Sequence, residues 1–442
     1  MSAKEHLELA RWACDAAAKA GAREARASVF RVQDSSLEYR QRKVETLSES
    51  TERGLSLNLY IDGKYSGHRT SDLRKQALES FIADSVTMTK YLTEDQYRYL
   101  PEPDYYSGRQ EKNLDLVDKG FAGVAPEDRH RLVQEIENAA LERGGDRIIS
   151  VTAGCSESRS ESAMVASNGF EGFAESTSFW CGAEATARDQ GDKRPEDWWW
   201  EGQRYRRSLS DPAAIGRQAV DRALRLVGSD KIPTETLPVL VDNRSAGRLV
   251  GFFRAAMSGS NLQQRRSFLE GKLGQQVASS HLTVVDDPFV VRGFGSRLFD
   301  GEGIAARRLP IVEKGVLANF YIDTYYGRKL GMRATTGSTS NVVFESDVVK
   351  GVDAWMRELK RGILITNFLG GNSNSSTGDF SAGIQGFLFE GGAIQRPLSA
   401  MNLAGNHLEF WNKLLGMGDD PYLYSSMRTP TLVFDAMVVA GA

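Results

Sequence analysis

The chain has 442 residues, 41% hydrophobic and 26% charged, with a formal net charge of −3. That length supports two or three domains with cores of their own, and the near-neutral charge excludes the basic face that nucleic-acid binding normally needs. No run approaches the roughly eighteen apolar residues of a membrane span, so no membrane partner is expected. Three cysteines without a Cys-x-x-Cys pair point to a reducing compartment. With a charged helix rather than an apolar signal segment at the start, a cytoplasmic protein is expected.

Ser2-x-x-Glu5 is a capping box, and Leu7, Ala10, Cys14, Ala17 and Ala18 form one helical face that ends at Gly21. Cys14 on that face reads as a packed core residue. Strand signals follow at residues 25–32 and 37–47. The clearest strand alternates Leu55, Leu57, Leu59 and Ile61 with polar residues and closes on the Asp62-Gly63 turn. Leu73, Ala77, Leu78 and Phe81 mark a second amphipathic helix. Residues 1–91 therefore read as an α+β module.

Residues 92–125 are polar, tyrosine-rich and punctuated by Pro101 and Pro103, as expected of a connecting segment. A helix resumes at Pro126. Strands are predicted at 148–155, 161–167 and 170–187, with a hairpin at Asn168-Gly169, followed by a helix over 211–227. This second α+β module covers 126–230. Beyond it come a buried strand at 237–241, a helix at 244–257, and mostly strands with glycine-rich turns. The expected fold class is α+β, with a strand-rich, barrel-like or layered β domain over 231–442.

The least ordinary stretch runs from Asn367 to Gly392, where glycine and asparagine are interleaved with Ile384, Phe387 and Phe389, and Glu390-Gly391-Gly392 signals a hairpin. Glycines at this density allow close backbone approach, either within a barrel or to a bound chain. Gly378, Asp379, Phe380, Ser381, Gly383 and Gly386 are therefore candidates for a peptide groove, with Phe380 as an anchor and exposed strand edges holding the peptide main chain.

The Thr377-Gly-Asp-Phe-Ser core of that stretch, with Gly386 and Ala404-Gly-Asn, resembles the TldD/PmbA family, also called the modulator of DNA gyrase family. Further matches, in order, are Gly54-Leu-Ser-Leu-Asn-Leu-Tyr, Asp211-Pro-Ala-Ala-Ile-Gly, Phe299-Asp-Gly-Glu-Gly, Glu313-Lys-Gly-Val-Leu, Thr335-Thr-Gly-Ser and Arg428-Thr-Pro-Thr-Leu-Val-Phe. The resemblance implies a choice between two branches. The TldD branch carries His-Glu-x-x-x-His for zinc and base, plus a C-terminal cysteine. Here Gly251, Phe252 and Ala256 occupy those three positions, and no side chain among them binds metal or moves a proton. All cysteines lie in the first half (Cys14, Cys155, Cys181), and the five histidines are widely spaced. The chain thus resembles the TldE (PmbA) branch.

The resemblance implies a subunit without a cofactor of its own, paired with a TldD-like partner that holds the zinc, and acting on unfolded peptides such as leader segments and antitoxin-like proteins. An autonomous, homodimeric peptide-binding protein is the alternative. A third reading, an enzyme with a site of its own around Asp300, Glu302 and Asp379, meets the absence of metal ligands. Other motifs read as scaffold. Asp286-Asp287 and Asp419-Asp420 precede prolines and suit turns, and Ser381 lacks a nucleophile elbow. Trp198-Trp199-Trp200, flanked by acids and arginines, is an interface candidate because tryptophan and arginine dominate binding hot spots.

Overall fold

The computed structural model describes residues 2–441. Its first body is a single six-stranded antiparallel sheet with helices on one face. Helix α1 (Ala3–Ala20) has the expected capping box at Ser2 and ends on Gly21 in the left-handed region. Then follow β1 (Glu24–Arg40), β2 (Lys43–Ile61), β3 (Lys64–Thr70) and α2 (Lys75–Thr89). Residues 90–125 hold no helix beyond two short 3-10 turns and no strand. After them come α3 (Pro126–Gly144), β4 (Ile148–Ala166), β5 (Glu171–Ala187), β6 (Glu196–Gln203) and α4 (Pro212–Leu224). The sheet order is β3-β2-β1-β4-β5-β6, so β1 pairs with β4 and the strands of residues 24–70 and 148–203 share one sheet.

Side-chain alternation decides which face the helices cover. Ala27, Val29, Leu57 and Leu59 pack under α1 and α2, while Leu37, Ala153, Cys155 and Cys181 pack under α3 and α4. All three cysteines are buried and free. The opposite face carries Ser156, Ser158 and Ser160 beside Ser176 and Ser178.

Two strand expectations need correction. Residues 25–32 and 37–47 do not form separate strands, because β1 runs unbroken to Arg40 and turns at Gln41 and Arg42, both with positive φ (53° and 60°). No glycine or asparagine marks that turn, so composition does not reveal it. Likewise 148–155 and 161–167 are halves of one strand, β4, whose polar middle is paired on both edges.

The second body begins with β7 (Glu235–Val241), α5 (Asn243–Ala255), α6 (Gly259–Gln263) and β8 (Thr283–Asp287). Next are β9 (Leu309–Glu313), β10 (Val316–Leu317), α7 (Thr324–Leu330), β11 (Asn341–Glu345) and α8 (Val352–Leu359). It ends with β12 (Arg361–Ser373), β13 (Asp379–Glu390), β14 (Ala393–Asn406), α9 (His407–Asn412), β15 (Leu414–Met417), β16 (Met427–Arg428) and β17 (Leu432–Ala440). The order β14-β13-β12-β7-β17, with β17 pairing back to β14, closes a five-stranded barrel. A second sheet, β10-β9-β8-β11-β16, packs into the same core. Between these strands the chain is more irregular than its composition suggests, notably over residues 288–308.

The bodies are joined by buried arginines. Arg244, on α5, pairs with Asp197 of β6 at 2.7 Å, with both side chains 2–3% exposed. Its guanidinium also donates to the carbonyl oxygens of Trp198 (2.8 Å) and Thr366 (3.2 Å) and lies over the Trp198 ring. Arg222 of α4 bridges Asp197 and Asp242. Arg204 donates to Thr177, Gly293 and Phe294 carbonyls, and Arg328 to Tyr97, Tyr99 and Leu100 carbonyls of the connecting segment.

Removing one partner of such a pair strands the other charge in the core. Arg244→Met is expected to cost about 3–5 kcal/mol, read as a lower denaturant midpoint, with Arg244→Lys intermediate because it retains the charge and loses the fork and the stacking.

Candidate functional site

Helix α5 is placed by its N-terminus. Asp242 caps it by accepting from the Ser245 amide at 2.8 Å, and the Ser245 hydroxyl donates to the Thr366 carbonyl at 2.5 Å. Burial lifts the Asp242 carboxyl, which the nearby Arg244 and Arg222 oppose. These bonds lay α5 beside the segment where β12 leaves β7, since β7 pairs with β12 only through Ile365.

The three positions of interest on α5 are inert. A side chain at Gly251 would project into open space, with nothing within 4 Å. Ala256 is fully buried. Phe252 and Phe253 lie 6.4 and 6.2 Å from the ring of His407. That histidine is fully buried and stacked on Phe268 and Phe380, at 5.6 and 4.8 Å. Its Nε2 meets the Ser373 hydroxyl at 3.0 Å, while Nδ1 has no partner. Burial pushes its pKa down to about 4.

The six groove candidates do not form one surface. Gly378 (φ 84°) and Asp379 make the turn into β13, where Asp379 accepts from Thr377 at 2.7 Å and Asn406 at 3.0 Å. Those bonds, the Asn406 one foremost, hold the Asp379 carboxyl below its ordinary range. Phe380 is not a peptide anchor: it is 4% exposed and belongs to the aromatic cluster, because alternation along β13 turns it inward. Ser381 pairs with Asn402 and lies away from His407's partner Ser373. At Gly383 a Cβ would lie 2.6 Å from the Leu369 carbonyl oxygen, and at Gly386 it would fall on that of Leu364. Both glycines therefore let β12 and β13 approach.

The tryptophans lie on β6, an edge strand of the six-stranded sheet. Trp198 stacks under Arg244. Trp199 donates to Glu201 at 3.0 Å and meets Tyr424 edge-on. Trp200 covers Gly154 and Gly182, where a Cβ would collide with its ring. All three remain half-buried.

The acidic motifs are structural. Asp300 accepts from the amides of Glu302 and Ile304 and from the Thr336 hydroxyl. Glu302 accepts from Thr324, with its carboxyl lifted by burial. Neither shares a partner with Asp379. Asp286 is a buried strand residue rather than a turn residue, accepting from Ser340 and Tyr321 because β8 continues through it. Asp287 makes the expected turn bond, accepting from the Phe289 amide, whereas Asp420 accepts from the amide and hydroxyl of Thr431, eleven residues further on.

Sequence reasoning passed over a cleft of about 690 Å³ between the β5–β6 hairpin and the barrel. Glu184, Glu196 and Trp198 form one wall; Asn367, Leu369 and Gln385 form the other. Gln385 was detectable as a lone amide inside the apolar run from Ile384 to Phe389. Glu184 gave no signal.

Comparison with known proteins places these features. Residues 234–441 match the model described as the PmbA/TldA metallopeptidase C-terminal domain, and residues 119–227 match the central domain. The Haemophilus influenzae metalloprotease PmbA homolog is 27% identical over 97% of this chain and 95% of its own. Metalloprotease PmbA of Escherichia coli is 26% identical over 92% and 90%. A crystal structure from Bacteroides thetaiotaomicron, described as a candidate modulator of DNA gyrase, is 39% identical over 99% of both chains, with a TM-score of 0.95. TldE from Thermococcus kodakarensis shares the fold at a TM-score of 0.85 and 20% identity over 100% of both.

A metallopeptidase implies a metal, and the surroundings of α5 do not fit one. Its aromatic cluster offers a single imidazole among phenyl rings, whereas zinc needs three or more N, O or S ligands. Among the described residues no three His, Cys, Asp or Glu side chains converge.

Two outcomes follow. Gly383→Val is expected to destabilise the chain by about 1–3 kcal/mol, seen in denaturant unfolding, because the strands must part. His407 is held neutral, so between pH 6.5 and about 4 the unfolded chain binds a proton that the folded chain does not. Stability should be complete above pH 6.5 and fall toward pH 4 by on the order of 3 kcal/mol. Unfolding curves of His407→Phe should lack that component.

Proposed function

This chain belongs to the PmbA/TldD metallopeptidase family, and on that premise we propose that it is a TldE-like, non-catalytic subunit of a two-component zinc protease acting on unfolded peptides. The observation that carries the reading is α5. By the resemblance, its Gly251, Phe252 and Ala256 take the positions of ligand, base and ligand in the catalytic branch, and Phe252 and Phe253 pack around His407. In this reading the TldD-like partner supplies zinc, base and nucleophilic water, and this chain supplies a wall of the peptide path and a partner surface. Obligate interfaces usually bury more than about 2,000 Å², so a stable complex is expected.

The peptide path lies beside the β12–β13 hairpin. Beyond Ile365 no described strand pairs with β12 on its β7 side; the Thr366 and Phe368 carbonyls accept there from Arg244, Ser245 and Arg248 of α5, and Leu369 is exposed. An unpaired strand edge holds an extended chain through main-chain hydrogen bonds and so accepts many sequences.

The purified chain is expected to carry no stoichiometric zinc by elemental analysis and to cleave no peptide alone. With its TldD-like partner it should co-elute and increase peptide cleavage. One tightly held zinc per chain with activity that survives further purification would overturn the reading. Separate elution at micromolar concentration, with the partner's activity unchanged, would favour an autonomous, homodimeric binding protein instead.

A further inference from the structure

The 690 Å³ cleft between the bodies has three features that the scaffold does not use. Gln385 is 7% exposed; its amide oxygen accepts weakly from Asn367 at 3.4 Å, and its nitrogen has no partner. Whichever way the amide is turned, one end is free toward the cleft. The amide nitrogen reaches the cleft surface and is a donor that a ligand's peptide carbonyl would accept from. Opposite, Glu184 makes no hydrogen bond and no ion pair, unlike the other carboxylates of the wall. Asp189 caps the Gly228 amide, Glu196 accepts from Thr186, and Asp197 is paired with Arg244. Finally, Ala400 on the barrel rim holds a positive φ of 56°, which a non-glycine residue adopts at some cost.

The charge around Glu184 is one-sided. Glu184 is exposed, but partial desolvation first, then the carboxylates of Glu196 and Asp197, lift its carboxyl, and Arg40 opposes them. Of the basic side chains on the cleft, Lys193 is turned to the Ser229 carbonyl and Arg194 to those of Gly191 and Lys193. Lys231, on the linker between the bodies, has no such bond.

We propose that this cleft binds an extended peptide that carries a lysine or arginine side chain, with Glu184 as the counter-ion and the Gln385 amide bonding the peptide main chain. The proposal rests on the peptide-handling reading above and adds a side-chain preference to it. Beyond its pairing with β7, β12 runs along the same cleft through Asn367 and Leu369, beside carbonyls already bonded to α5 side chains, so an extended peptide there is held by Gln385 and by its own side chain on Glu184.

The test is fluorescence anisotropy with one labelled, unstructured peptide whose central residue is arginine, citrulline or glutamate. It is run on the full chain and on the chain co-purified with a TldD-like subunit. The arginine peptide should bind roughly fivefold tighter than the citrulline one, the range of one partly exposed ion pair. Glu184→Gln should abolish that difference while citrulline binding and the unfolding temperature stay unchanged. Gln385→Leu should weaken arginine and citrulline peptides alike. Equal binding of all three peptides, tighter binding of the glutamate peptide through Lys231, or an arginine preference that survives in Glu184→Gln overturns the proposal and leaves the peptide-binding reading standing. No binding of any peptide to either preparation overturns both.

Discussion

The buried pair between Asp197 and Arg244 is the constraint on which the rest of the arrangement depends. One guanidinium reaches a carboxylate on the edge strand of the first sheet, a main-chain carbonyl beside it, and a carbonyl on the barrel strand β12. Charges this deeply buried are tolerated only when geometry and hydrogen bonding are nearly complete. Arg222 and Asp242 complete the set, and Asp242 is also the cap of α5. The relative placement of the two bodies, the direction of α5 and the departure of β12 are thus fixed by the same few atoms.

The barrel imposes the second constraint. Five strands close on a core shared with α5 and α9, and closure leaves little room between β12, β13 and β14. Glycine at 383 and 386 is the steric consequence. In the same core, Phe252 and Phe253 of α5 pack against the ring of a neutral histidine, His407.

Local signals were read well where one residue type leaves few choices. The capping box at Ser2, proline opening α3, Gly21 closing α1 and the apolar alternation near Leu57 all act within a few residues. The turn at Gln41 and Arg42 was missed because its positive φ values are imposed by the long pairing of β1 with β2 and not by composition. The polar middle of β4 looked like a break, yet neighbours on both edges satisfy its backbone. Phe380 looked like a free anchor because sequence shows that a residue is apolar and not which side of its strand is buried.

The sequence by itself determined the α+β class, the family, the inert α5 positions and the buried role of Cys14, because these follow from residue identity and short spacing. Only the tertiary structure decided that the six groove candidates divide among a turn, a core and two close strand contacts. It alone brought Glu184, Asn367 and Gln385 to one cleft across roughly two hundred residues of chain. Such groups are juxtaposed by sheet order and by one buried ion pair between bodies, and neither leaves a periodic or compositional trace in the chain.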